Sequence, residues 1–340
     1  MAQKNYLDLK KEVWETGICS GCGACVAVCP ADALSFPAGE MVKSPVSSGY
    51  CKEATDLVPC GACYAACPRT GPQGEETLGT YLELLSARSA TDVPHAQSGG
   101  AVTAILVHAL DAGLIDAVVT VSEDRFTLKP SSVIITKSEA LITVAGSRYS
   151  WWVPLLAALK TAVIEKKYRR IAVVGVPCAV QALGRIRTSD NDLLIPYANA
   201  IRLVIGLFCT ESFDYSSLIN TQLKVRHNLE PFEIKKLDVK GKLAIEKTDG
   251  STTSIPLSEL EACIRNGCHY CTDFTALDAD ISAGSVGSPA GETTLLVRNS
   301  TGKAFVDAAV RGEKLLVKEG AEIPAIEKLA KAKIKKNKKH

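Results

Sequence analysis

Thirteen cysteines in 340 residues carry the chemistry of this chain, and they are not scattered. Cys19, Cys22, Cys25 and Cys29 are spaced C-x2-C-x2-C-x3-C and followed by Pro30. This is the bacterial ferredoxin ligand run. A second run, Cys51, Cys60, Cys63 and Cys67 followed by Pro68, is spaced C-x8-C-x2-C-x3-C-P. In two-cluster ferredoxins the fourth cysteine of one run reaches across to the other cluster. By that rule Cys19, Cys22, Cys25 and Cys67 hold one [4Fe-4S] cluster, and Cys51, Cys60, Cys63 and Cys29 hold the other. The competing chemistry is a zinc ribbon, which takes four ligands per site but has no need of two C-x3-C-P repeats. Gly21, Gly23 and Gly61 let backbone amides come close to cluster sulfurs.

Much further along, NGCHYCTDF holds Cys268 and Cys271. Two thiols do not close a four-coordinate site, so any metal there needs partners from elsewhere. Cys178, in GVPCAVQAL, follows a strand at a helix N-terminus, where the dipole favours a thiolate. Cys209 ends the strand of IGLFCTES. Both lie at carboxyl ends of strands, where open α/β sheets gather their functional loops. With Cys268 and Cys271 they make four, enough for a third [4Fe-4S] cluster; the alternative is that Cys178 and Cys209 are merely buried. Cys263 is the spare, separated from Cys268 by a longer gap than the tight pair allows.

The elements that must position these residues follow from composition and pattern. Lys+Arg 39 against Asp+Glu 37 leaves a net charge of +2 and no bias towards nucleic acid. The start MAQKNYLDLKKEVWE has no apolar signal core, and stretches such as Ala101 to Leu110 and Leu203 to Cys209 are too short to span a bilayer. The expectation is a soluble, cytoplasmic protein whose cysteines are ligands rather than disulfides. A Gly/Pro/Glu-rich linker, Thr70 to Gly79, sets a ferredoxin domain (1–77) apart from an α/β domain (78–320), with a basic tail at 321–340. Helices are expected at Ala101–Ala112, Pro154–Lys167, Cys178–Ile186 and Lys303–Val310. Strands are expected at Ala117–Val121, Ile171–Gly175, Ile201–Phe208 and Thr293–Val297. The Lys-rich helix from Ile323 frays into KIKKNKKH and reads as a solvated terminus, with a docking arm as the alternative. No G-x-G-x-x-G follows a strand, so the fold class is a non-Rossmann α/β (α+β) core with a mixed sheet beside a 2[4Fe-4S] ferredoxin.

The ordered blocks QSGGAVTAIL (from Gln97), GSRY (from Gly146), VGVPCAVQAL, IGLFCTESF and CHYCTDFTALDADISAGSVGSP resemble the β subunits of coenzyme F420-reducing hydrogenases. With the added ferredoxin the chain resembles more closely the F subunits of F420H2 dehydrogenase from methanogenic and related archaea. The resemblance covers nearly the whole chain from Cys19. It implies FAD as central cofactor and reduced coenzyme F420 as hydride donor. It also implies a flavin-side [4Fe-4S] cluster on Cys178, Cys209, Cys268 and Cys271. Electrons would then pass through three clusters to a partner protein or a membrane-bound respiratory complex, by way of a detached ferredoxin domain. A flavin belongs between the two chemistries because deazaflavins pass hydrides and clusters take single electrons.

Three stretches are candidates to hold the flavin and the deazaflavin. Gln97, Ser98, Gly99 and Gly100, with Thr103 in the following helix, offer free amides to a diphosphate, or simply a glycine-rich N-cap. Gly146, Ser147, Arg148 and Tyr149 offer a turn, a cation and an aromatic surface, unless Arg148 is merely exposed. Gly284, Gly287 and Ser288 form a close-approach loop, and Pro177 adjoins Cys178. Glu211 and Asp280 are candidate catalytic groups for proton movement, and Asp273 is a further polar candidate; each is alternatively a cap. Gly291-Glu292 stands where relatives commonly carry an aromatic residue, a change that bears on the ring pocket. Trp151 and Trp152 are substitutes for that surface, or core. The five histidines form no metal constellation, and no Ser-His-Asp or C-x-x-C-H spacing occurs. Two other functions stay open: a related reductase module feeding a sulfite, heterodisulfide or pigment reductase, and a pure electron-transfer subunit.

Overall fold

The computed structural model describes residues 4–37, 43–152 and 154–338. Its centre is an eight-stranded mixed sheet. In chain order the strands are β1 (Glu83–Ser89), β2 (Ala117–Glu123), β3 (Pro130–Ile135), β4 (Ile171–Gly175), β5 (Ile201–Leu207), β6 (Ile281–Gly284), β7 (Thr293–Val297) and β8 (Leu315–Glu319). They lie side by side in the order β8-β1-β7-β6-β5-β4-β2-β3. The inner strands β6, β5, β4 and β2 are parallel, and antiparallel pairs extend both edges. The sequence shows why. Ile171–Gly175 (IAVVG) is apolar without alternation and every residue is buried, the pattern of a strand covered on both faces.

Helices α1 (Ala101–Asp111) and α3 (Ser300–Arg311) cover one face, burying Ile105, Leu106, Phe305 and Val306 against Leu203, Ile205 and Leu295. Helix α2 (Pro177–Thr188) covers the other, and the ferredoxin segment joins it there. Cys22, Ala24, Ala27, Val28, Ala62 and Ala66 belong to one core with Leu156, Leu159, Ala179, Val180 and Leu183. A three-stranded antiparallel sheet, Ile234–Val239, Lys242–Lys247 and Thr252–Pro256, packs separately around Phe213, Leu218 and Leu260.

Two expectations change here. The ferredoxin segment is not a detached domain. Leu156 N donates to Cys22 O at 3.0 Å, Lys160 Nζ to Cys29 O at 2.7 Å, Tyr197 Oη to Ala27 O at 2.7 Å and Arg185 Nε to Ala65 O at 2.9 Å. A linker composition says only that no local element forms; it does not say that the backbone is free. Thr272 and Thr275 hydroxyls donate to Gly74 O and Thr77 O, and Leu78 is buried. Nor is the C-terminal helix a solvated tail. Helix α4 (Ile323–Asn337) buries Ile326, Ala330, Lys333 and Asn337, one face at helical spacing. Lys339 and His340, the end of the expected tail, lie outside the described residues.

Arg298 ties linker to sheet. Its buried guanidinium donates to Ser282 Oγ at 2.6 Å, Leu78 O at 2.8 Å, Thr80 O at 3.1 Å and Thr275 O at 3.1 Å. Arg298→Met leaves several buried acceptors unpaired and is expected to cost about 3 kcal/mol. A lowered thermal unfolding midpoint under anaerobic conditions is the measurement.

Candidate electron-transfer site

The three cysteine sets occupy three cavities. One is lined by Cys19, Cys22, Cys25 and Cys67, and one by Cys29, Cys51, Cys60 and Cys63. Each therefore draws its fourth cysteine from the other run. The local backbone explains the gathering. Gly23 and Gly61 each start a one-turn helix, Ala24–Ala27 and Ala62–Ala65, that turns successive cysteines inward. Amides of Gly21, Ala62, Tyr64 and Arg69 point at the sulfurs of Cys19, Cys60, Cys63 and Cys67. Such N–H···S bonds stabilise charge on sulfur.

The third cavity is lined by Cys178, Cys209, Cys268 and Cys271. Parallel strands β4 and β5 pair Gly175 with Gly206, and Cys178 and Cys209 each lie three residues beyond that pair (178 − 175 and 209 − 206). The sheet thus delivers both from neighbouring strand ends. The short helical turn Asn266–Tyr270 brings Cys268 and Cys271 to the same mouth, and Ser212 N donates to Cys268 Sγ at 3.4 Å. All four are cysteines, a soft all-sulfur donor set suited to iron–sulfur ligation.

Burial pushes the Cys178 thiol far up, with Cys22 and Cys271 adding to it, and pushes Cys209 up to about 12. The helix dipole thus does not by itself make Cys178 a thiolate; on ligation, a metal's own charge would draw these protons off. Cys263 lines none of the three cavities and is buried among Leu218, Ile255 and Leu260.

The sets follow one another in space. Ser20, Gly21 and Cys22 of the first ferredoxin run also line the third cavity. A Cβ on Gly267, in the third set's loop, would land on the Cys19 carbonyl and stand 2.7 Å from Cys19 C. Asn266 Nδ2 donates to Gly17 O at 2.8 Å across the same seam. On the far side, Cys25 of the first cavity feels Cys63 of the second.

Four residues that motif reading missed surround the third cavity. Arg69, Arg265 and Lys333 line it, each less than one-tenth exposed. Arg69 Nη2 donates to Gly267 O, and Arg265 Nη1 to Ser20 O at 2.7 Å while its guanidinium stacks 3.6 Å from the Trp151 ring centre. Lys333 Nζ donates to Cys209 O and Asp273 O, both at 2.6 Å. Asn337 Nδ2 donates to Cys268 O at 2.9 Å and Cys271 O at 2.6 Å. The signal for the last two was the common helical face of residues 326, 330, 333 and 337.

The flavin candidates fall into different surroundings. Gln97–Gly100 lead into α1, whose first turn no side chain caps, and Gln97 Nε2 is buried without a partner. That much fits a diphosphate. The glycines have protein reasons of their own: a Cβ on Gly99 would stand 2.5 Å from Ala87 O and 3.0 Å from Gly291 O. Thr103 is half-buried in α1. Ser98 Oγ bonds Thr293 Oγ1, while Ser288 Oγ bonds Thr294 Oγ1, so the two loops sit on opposite faces of β7. Gly284 is filled by the Phe208 ring, Gly287 by Ile326, and Pro177 opens α2 beside the third cavity.

Arg148, read from the sequence as a cation for phosphate or as merely exposed, is largely buried against its own loop. Gly146 lets it fold back, so that it donates to Val144 O and Ser147 O and pairs with Glu123 at 3.4 Å. Tyr149 faces Asp238, and its carbonyl accepts from Phe213 N. Asp280 is likewise committed to structure: Arg187, Val204 N and Asn299 Nδ2 all donate to its carboxylate. Asp273 caps Ala276 N and Leu277 N. Glu211 remains at the third cavity, paired with Lys336 at 3.0 Å. Glu292 pairs with Lys318 at 2.7 Å.

Burial raises the Glu123 carboxyl to about 7, against the pull of Arg148 and Arg125. An acid raised above its unfolded value of 4.5 holds a proton in the folded state. Its contribution is therefore fully present below about 4.5 and lost as pH climbs through about 7. Thermal unfolding midpoints from pH 5 to 8 should fall less steeply in Glu123→Gln than in the unsubstituted chain.

Comparison with known proteins accords with this geometry. Two family models describe the beta subunits of coenzyme F420 hydrogenase/dehydrogenase: residues 84–160 match the N-terminal one and residues 168–323 the C-terminal one. Residues 12–35 match the "4Fe-4S binding domain". An uncharacterized protein of Methanocaldococcus jannaschii is 44% identical over 99% of each chain. The F subunit of the F(420)H(2) dehydrogenase of Methanosarcina mazei is 32% identical over 97% of this chain and 93% of its own. A chain of the F420-reducing [NiFe] hydrogenase complex from Methanosarcina barkeri superposes with a TM-score of 0.72 at 32% identity, covering 79% of this chain and 94% of that one. Among the described residues no helix is long and apolar enough to cross a membrane. Its sequence, its mixed sheet and its ferredoxin run together place this chain in the oxidoreductase family of coenzyme F420 hydrogenase/dehydrogenase beta subunits.

Proposed function

We propose that the chain oxidises reduced coenzyme F420 by hydride transfer to FAD and delivers the electrons singly to a partner complex, as the input subunit of an F420H2 dehydrogenase. The observation that carries this reading is the run of three four-cysteine cavities, the first ferredoxin set standing between the other two. FAD supplies the exchange between a two-electron hydride and the single electrons that [4Fe-4S] clusters accept. The chain's own residues bind and bridge. The uncapped start of α1, with Gln97 and Ser98, would hold the diphosphate. Cys178, Cys209, Cys268 and Cys271 would hold the flavin-side cluster. Trp151, half-buried, stacked on Arg265 and donating to Gly21 O at 3.1 Å, bridges the seam between that set and the next. The Cys51–Cys60 segment, with Leu57 and Val58 exposed, would face the acceptor.

Anaerobic stopped-flow mixing of the holo-protein with reduced F420 should bleach the flavin band rapidly. Slow or absent bleaching with F420, and rapid bleaching with NADH, would refute the donor assignment.

A further inference from the structure

Among the described residues the three cations at the third cavity stand in no close ion pair with a carboxylate, although Asp273 lends Lys333, and Asp214 lends Arg265, weaker electrostatic support. Neighbouring cations are closely paired: Arg187 with Asp280, Lys318 with Glu292 and Lys336 with Glu211. Arg69, Arg265 and Lys333 form no such pair among the described residues, yet they are 7%, 8% and 6% exposed. A buried cation outside a close ion pair is expensive, so three around one cavity favour negative charge inside it. Each arrives from a different segment: Arg69 directly behind the second ferredoxin run, Arg265 ahead of the Cys268 loop, and Lys333 from the C-terminal helix. Each is fixed by bonds to backbone of the cysteine loops, namely Gly267 O, Ser20 O and Cys209 O. The spacing is thus set by the same backbone that sets the thiols.

Resting on the reading of a third cluster, we propose that Arg69, Arg265 and Lys333 form a cationic cage that balances its charge and raises its reduction potential. Four thiolates around an oxidised [4Fe-4S] core carry a net charge of about −2, and one added electron makes it about −3, the count the three cations match. The cage therefore favours the state that has just taken an electron and holds the electron at the flavin side. No comparable trio lines either ferredoxin cavity. The C-terminal helix is accordingly a redox element as well as a structural one. Lys333 supplies charge, and Asn337 supplies neutral bonds to Cys268 O and Cys271 O.

The test is an EPR-monitored redox titration of the full holo-protein, with iron content measured alongside. Lys333→Gln keeps a donor and removes the charge; Lys333→Arg keeps the charge; Asn337→Leu removes neutral bonds only. In Lys333→Gln the third midpoint should fall so that the reduced-to-oxidised ratio at fixed potential drops about tenfold, which is 59 mV for one electron. Lys333→Arg should restore it, and Asn337→Leu should leave it in place. Arg69→Gln should fall in the same direction. Iron loss from Lys333→Gln that Lys333→Arg prevents equally supports a role for the charge. Unchanged midpoints at full iron content, or equal iron loss in Lys333→Gln and Lys333→Arg, overturn the cage while leaving the cluster assignment standing. An unsubstituted chain with about eight iron atoms rather than about twelve overturns the cluster and the cage together.

Discussion

Cys268→Ser is expected to remove about four of about twelve iron atoms per chain and to leave the other eight in place. Serine oxygen is a poor substitute for thiolate at an iron–sulfur cluster, and the two ferredoxin cavities use no residue of the third set. The loss should be local because Cys268 is joined to the fold by few side-chain bonds: its sulfur accepts from Ser212 N, and its loop is kept by Asn266, Arg265 and Asn337. Iron and acid-labile sulfide assays, with EPR of the dithionite-reduced protein, read the result. Reduction by F420 should then stop at the flavin, leaving the ferredoxin signals oxidised on the stopped-flow timescale. Cys263→Ser is the contrast. That thiol is buried beside the three-stranded sheet and lines none of the three cavities, so iron should stay complete. Unchanged iron in Cys268→Ser would dismiss the third cluster.

The sequence made some of this plain and hid the rest for physical reasons. The cysteine runs are legible because their spacing is local: Cys19, Cys22 and Cys25 lie within one short stretch of backbone. Cys178 and Cys209 were legible at one remove, since runs such as IAVVG and IRLVIGL announce buried parallel strands and both cysteines follow them. Strand β1, ELLSARS, was missed because buried Ser86 and Ser89 break the apolar run; their hydroxyls are satisfied by Ser288 Oγ and Gly320 O and by Thr91 N. The three-stranded sheet was missed although Lys240-Gly241 and Asp249-Gly250 are hairpin-type turns between alternating strands. The partners of Arg148 and Asp280 were hidden because a residue type shows what a side chain is able to do, whereas its neighbours decide what it does. Glu123 and Arg187, which claim them, lie far away in sequence. The cage was invisible for the same reason: Arg69, Arg265 and Lys333 share a cavity but no local pattern.

Gly267→Ala is expected to uncouple the two halves of the electron path without emptying either. The added methyl would collide with the Cys19 carbonyl and stand 3.1 Å from Ser20 Cα, all backbone that cannot rotate aside. Only separation of the two loops relieves it. The bonds at risk are Asn266 Nδ2 to Gly17 O at 2.8 Å and the two from Arg69, to Ile18 O and Gly267 O, both at 3.3 Å. Overpacking of this kind costs about 1–3 kcal/mol. All twelve proposed ligands remain, so iron content should hold. What changes is the closest approach between the third set and the first ferredoxin set. Freeze-quench EPR after mixing with reduced F420 should show the third signal rising as before and the ferredoxin signals lagging well behind. Gly241→Ala is the matched control: at φ +70 it carries a backbone penalty of its own, but nothing lies within 4 Å of the new methyl. It should lower the unfolding midpoint and leave the order of signals alone. Ferredoxin signals that keep pace in Gly267→Ala would mean that electrons do not cross this seam.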